Sequence, residues 1–138
     1  MNLNKKITEL DTKAILSTMW IFVLLNIIFR DIHEIVTPEF LEKTLNSVQP
    51  TEGLFLAAAI MLEIPIAMVF LSRILKYGLN RWANILTGLL TILLTVTNNT
   101  TPDLDDIFFA IVEIAGALLI IWVAWKWRQQ EDSSQSFV

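Results

Sequence analysis

Four apolar runs, each nearly free of charge, constrain this chain more than any other feature of its sequence. They cover residues 14–29, 53–72, 82–97 and 107–125. A helix needs roughly 17–25 such residues to cross a bilayer. The first and third runs have only 16, so each must recruit flanking residues whose side chains reach the interface. The second and fourth carry one charge apiece, Glu63 and Glu113, and are apolar around their full circumference. A soluble bundle would confine its apolar residues to one stripe per helix. The expected fold is therefore all-α, an integral membrane four-helix bundle. Its spans lie at about 14–30, 53–73, 82–98 and 106–126, within a single domain covering residues 1–128.

Composition narrows the chemistry. Charged residues make up 17% of the chain, against about 25% in soluble domains, and they sit in short clusters between the runs. The net charge is −4 with no basic stripe, so no nucleic-acid partner is expected. There is no cysteine and one histidine, His33. That excludes disulfides, thiolate chemistry and a His-rich metal cage, and no metal site or cofactor is expected.

Lysine and arginine placement orients the helices. Lys5, Lys6, Lys13, Arg73, Lys76, Arg81, Lys126 and Arg128 flank one side, and only Arg30 and Lys43 the other. Both termini and the 73–81 loop are thus expected in the cytoplasm. Trp82, Trp122, Trp125 and Trp127 fall near that interface, with Trp20 somewhat deeper. A signal peptide is the alternative for the first run. No small-residue cleavage site follows Phe29, and the chain passes directly to Arg30-Asp31, which favours a retained span. In the first outer loop, Thr37-Pro38-Glu39 reads as a helix start. A short surface helix is expected over about 38–45, lying on the membrane or across the bundle mouth. Thr101-Pro102-Asp103 reads as a second start. Asn98-Asn99-Thr100 and Asn99-Thr100-Thr101 match the common glycosylation triplet. Residues 129–138 read as a polar, disordered cytoplasmic tail.

The spans also carry polar residues at a common height. Asn26 lies 13 residues from Lys13, Glu63 13 from Lys76, Glu113 13 from Lys126, and Thr95 14 from Arg81. Each therefore stands about 20 Å from its basic anchor. Small neighbours point these faces inward: Ala59, Glu63 and Ala67 in the second span, and Ala110, Glu113 and Ala117 beside Gly116 in the fourth. Asn84, Thr87, Thr91, Thr95 and Asn98 form a stripe on the third span, and Thr18, Asn26, Arg30 and His33 share a face of the first. Glu-Ile-x-x-Ala recurs at a 50-residue offset in the second and fourth spans, as a duplicated hairpin or by chance.

An acid inside a span is a functional candidate by default. Two carboxyls meeting there cannot easily both ionise, so the pair is expected to keep at least one proton, with Arg30 reaching down to the other charge. The competing reading is structural, with both acids hydrogen-bonded to Asn26 and the threonines to fix helix pairing. Pro65 frees the Met61 carbonyl beside Glu63, for a ligand or merely as a kink. The candidate ligand-binding residues are Asn26, Arg30, Glu63, Thr91, Thr95 and Glu113, and any catalytic role falls to Glu63 and Glu113.

The stretches Asp11–Trp20, Met61-Leu-Glu-Ile-Pro-Ile-Ala-Met-Val, Leu71-Ser-Arg, Asn80-Arg-Trp-Ala-Asn and Ile107-Phe-Phe with Glu113-Ile resemble a family of small bacterial four-helix membrane proteins of unknown function, broadly DoxX-like. The resemblance covers residues 11–128. It implies a four-span bundle in a bacterial or archaeal inner membrane and assigns no catalytic residue. The function expected first is binding of a small apolar or amphipathic molecule, of lipid or quinone type. An acid–base enzyme using Glu63 and Glu113 is the alternative, and a proton-coupled small transporter the third. Membrane lipid, such a ligand and a second copy of the chain are the partners expected.

Overall fold

The computed structural model describes residues 3–47, 49, 51–99 and 103–128. They form five helices: α1 Leu3–Ile35, α2 Pro38–Asn46, α3 Glu52–Ile74, α4 Tyr77–Asn98 and α5 Leu104–Lys126. All but α2 are long and apolar enough to cross a membrane. The helices outrun the apolar runs at their ends, most of all α1, whose 33 residues span about 50 Å. No Pro or Gly interrupts α1.

Local chemistry sets the boundaries. Thr37 caps α2, its hydroxyl accepting from the Phe40 amide, with Pro38 at the first helical position. No residue of α2 is buried, and among the helices it touches chiefly α1. It is therefore a surface connector and does not close the bundle mouth. Thr51 caps α3 through the Leu54 amide. Asp103 precedes α5, its amide donating to the Asp106 carboxylate at 3.4 Å. The rest of the second helix-start signal, Thr101 and Pro102, lies outside the described residues, as do Thr100 of the glycosylation triplets and the 129–138 tail.

Helices α3 and α4 are joined through Leu75 and Lys76 alone, which makes them antiparallel neighbours. Packing runs round a closed ring, α1–α3–α4–α5 and back to α1, with α4 against α5 the most extensive pair. Hence α1 faces α4 across the centre, and α3 faces α5. Leu16, Trp20, Val23, Met68, Ile85, Ile120 and Ala124 form the core. Glycine allows close approach at two places. A Cβ on Gly116 would sit 2.7 Å from Val23 Cγ2, and one on Gly88 2.7 Å from Ile121 Cγ1. The outward faces are rich in exposed Leu, Ile, Phe and Trp, as a lipid-facing surface requires.

Candidate functional site

The buried stripe of α5 runs Glu113, Gly116, Ala117, Ile120, Ala124, a helical spacing that points Glu113 into the bundle. That of α4 runs Asn80, Asn84, Thr87, Gly88, Thr91, Thr95, close to the stripe read from sequence, although Asn98 at its end is exposed. These two helices and α1 bring three of the expected residues together. Arg30 Nη1 donates to Glu113 Oε2 at 2.8 Å, and Thr95 Oγ1 lies 3.1 Å from the same oxygen. Glu113 is completely buried, and the Arg30 side chain is 13% exposed. A second guanidinium nitrogen reaches Asp31 Oδ1 at 3.4 Å. Glu113 Oε1 is buried with no hydrogen-bond partner among the described residues. Thr95 also reaches the Thr91 carbonyl, and Thr91 that of Thr87.

A cavity of about 120 Å³ opens beside this group, between α1, α3 and α4. Arg30, Asp31, Thr91, Thr95 and Asn98 supply its polar side, and Ile27, Met61, Leu62, Pro65 and Leu94 its apolar side. Helix α3 continues unbroken through Pro65. Proline lacks an amide proton, so the Met61 carbonyl loses its usual helical donor at the cavity wall.

Two expected members of the polar layer lie elsewhere. The packing stripe of α3 is Pro65, Met68 and Ser72. Glu63, two residues before Pro65, is turned about 200° from it and is exposed on the opposite face. Ala59 goes with it. The two carboxyls therefore do not meet, and the repeated Glu-Ile-x-x-Ala pattern leads to opposite environments in α3 and α5. Asn26 sits at the edge of α1's inward face. Its amide donates to its own helix, to the Phe22 carbonyl at 2.9 Å, and it lines an apolar groove with Phe22, Phe29 and Phe109. Thr18 is exposed and bonded to the Ala14 carbonyl. His33 is also exposed and pairs with Asp105 at 2.9 Å.

A second polar cluster, missed as a unit in the sequence, lies toward the other end. Trp20 Nε1 donates to Asn84 Oδ1 at 2.7 Å, and Ser72 Oγ donates to the same oxygen at 3.2 Å. The Asn84 amide donates to the Asn80 carbonyl and side chain, and the Asn80 amide to the Ser72 carbonyl. Ser17 bridges the Val69 carbonyl and Arg73 Nε. Trp20, Ser72, Asn80 and Asn84 are fully buried, and every partner comes from within the bundle. Such a satisfied network fixes helix register. Ser72 and Arg73 of Leu71-Ser-Arg, and both asparagines of Asn80-Arg-Trp-Ala-Asn, belong to this network. The signal was available in the four-residue spacing of the two asparagines and in serines placed within apolar runs.

Four apolar helices closed in a ring round buried polar groups mark a multi-pass membrane protein. The chain belongs to a family of unknown function, DUF6326, whose model matches residues 5–134. That match carries no link to DoxX. No curated protein and no solved structure matches the chain with significance.

Proposed function

We propose that this protein binds a small neutral or cationic amphipathic molecule in the cavity between α1, α3 and α4. One observation carries the reading: the Arg30–Thr95–Glu113 group backs a cavity whose opposite wall, Met61, Leu62 and Pro65, is apolar. The polar end of the ligand rests against Arg30, Thr91, Thr95 and Asn98, and its apolar body against α3. The charge balance selects the class. A single cation, Arg30, already faces two carboxylates, Glu113 and Asp31, so an anion has nothing left to neutralise it. A neutral ring bearing carbonyls, of quinone type, or an uncharged or cationic lipid headgroup fits the remaining donors and acceptors. The volume is close to that of cavities that admit a six-membered ring. Neither cofactor nor metal is required.

The eight-to-two distribution of Lys and Arg supports cytoplasmic termini, with the cavity in the outer half of a bacterial or archaeal inner membrane. An acid–base enzyme built on Glu63 and Glu113 loses its premise, since one acid is interior and the other faces outward. Proton-coupled transport has no observation of its own.

The test is to extract the protein in native lipid discs and identify retained small molecules by mass spectrometry, comparing wild type with Leu62→Trp. Leu62 is partly exposed, so the larger ring fills the apolar side without disturbing the core. The expected result is a stoichiometric amphiphile in wild type and its loss in the variant, with the helical circular dichroism signal unchanged and thermal stability lowered only by the loss of bound ligand. Identical contents in the two proteins, or nothing beyond bulk lipid in wild type, would overturn the proposal.

A further inference from the structure

Glu63 occupies the exact midpoint of α3, eleven residues from Glu52 and eleven from Ile74, or about 16 Å from either end. It lies diametrically opposite the stripe that packs α3 into the bundle. Exposed Leu56, Ala59, Phe70 and Ile74 share its face, with Ala67 partly exposed. Among the described residues no hydrogen bond or ion pair engages it. In a bilayer this places a carboxyl group in hydrocarbon, at a depth its two methylenes cannot bridge to either interface. Acids so placed are costly and rare and are almost always turned inward. The other acid of the apolar runs, Glu113, obeys that rule with Arg30.

We propose that the Glu63 face of α3 is an interface with a second copy of this chain. A two-fold axis beside α3 sets Glu63 opposite Glu63, as a self-complementary contact requires. Two carboxyl groups set face to face can hydrogen-bond directly to each other, so the contact needs no group that the chain lacks. This matters because the apolar runs 14–29, 53–72, 82–97 and 107–125 contain no Lys or Arg, so no cation stands at the height of Glu63 on the outward surface. Ala59 and Ala67, one turn to either side of Glu63, are small enough for two α3 helices to approach closely. The contact is independent of the ligand cavity, which opens on the opposite side of α3.

The chain has no cysteine, so a single introduced thiol reports without background. Ala59→Cys is made in the full chain and oxidised in native membranes, with Leu118→Cys on the exposed face of α5 as the comparison. The expected result is a disulfide-linked dimer at Ala59→Cys at least tenfold above Leu118→Cys. Adding Glu63→Leu is expected to lower the yield about tenfold, the scale of one or two interhelical hydrogen bonds in a bilayer. Glu63→Gln, whose amide also pairs with itself, retains it within about threefold. Because Glu63 is exposed and makes no hydrogen bond or ion pair with the described residues, thermal stability of the monomer stays constant across the series. Equal yields at the two cysteine positions, or full yield with Glu63→Leu, would overturn the proposal. A monomer by mass measurement in lipid discs would do so too.

Discussion

Removing the Arg30 guanidinium gives the sharpest test of how the bundle centre is held. In Arg30→Met, Glu113 remains fully buried and keeps only the Thr95 hydroxyl, 3.1 Å from Oε2, while Oε1 already has no partner. Stripping one member from a buried ion pair costs about 3–5 kcal/mol. The reverse change, Glu113→Leu, costs less, about 1–3 kcal/mol, because Arg30 retains Asp31 at 3.4 Å and some exposure. The double variant Arg30→Met/Glu113→Leu has no charge left to strand, and Thr95 still donates to the Thr91 carbonyl. Its loss is expected to fall below that of Arg30→Met alone, giving a coupling energy of about 1–3 kcal/mol. Reversible unfolding in mixed micelles, followed by circular dichroism, measures all four proteins. Additive losses in the double variant, or an Arg30→Met protein within about 1 kcal/mol of wild type, would refute the argument that the pair acts as a unit.

Two other changes probe the rest of the bundle. Asn84→Leu strands the Trp20 indole donor and the Ser72 hydroxyl together, for an expected loss of about 2–4 kcal/mol and a shift in tryptophan fluorescence. Gly116→Val drives a side chain into Val23, 2.7 Å from the nearest Cβ position. It should destabilise by about 1–3 kcal/mol, and Gly88→Ala by less, because Ile121 can swing its side chain aside.

Most of the helical scaffold was legible because span length and hydropathy depend on the chain alone. The α2 helix was equally legible, since its Thr-Pro-Glu start acts locally. The inward stripe of α4 and the inward placement of Glu113 were readable for a similar reason: polar and small residues repeat there at helical spacing. Glu63 misled because Ala59 and Ala67 give it the same small-residue setting as Glu113. Helix rotation is fixed by the stripe that packs, here Pro65, Met68 and Ser72, three residues too unlike in kind to stand out as one face. Asn26 shared a height with Thr95 and Glu113, yet height along a helix says nothing about azimuth. That Arg30 reaches an acid of the spans was legible from its place at the end of the first run; that the acid is Glu113, 83 residues away, depends on α1 and α5 lying side by side, which no local pattern specifies.

The contrast between α1 and α3 decides where this molecule can bend. Arg30 stands on a continuous rod without proline or glycine, so it moves only as α1 moves as a whole. Across the cavity the wall belongs to α3, where Pro65 removes one rung of the backbone ladder beside Met61. The wall of that space therefore yields most easily at α3 beside Pro65, where the helix lacks one of its own hydrogen bonds, and least along α1.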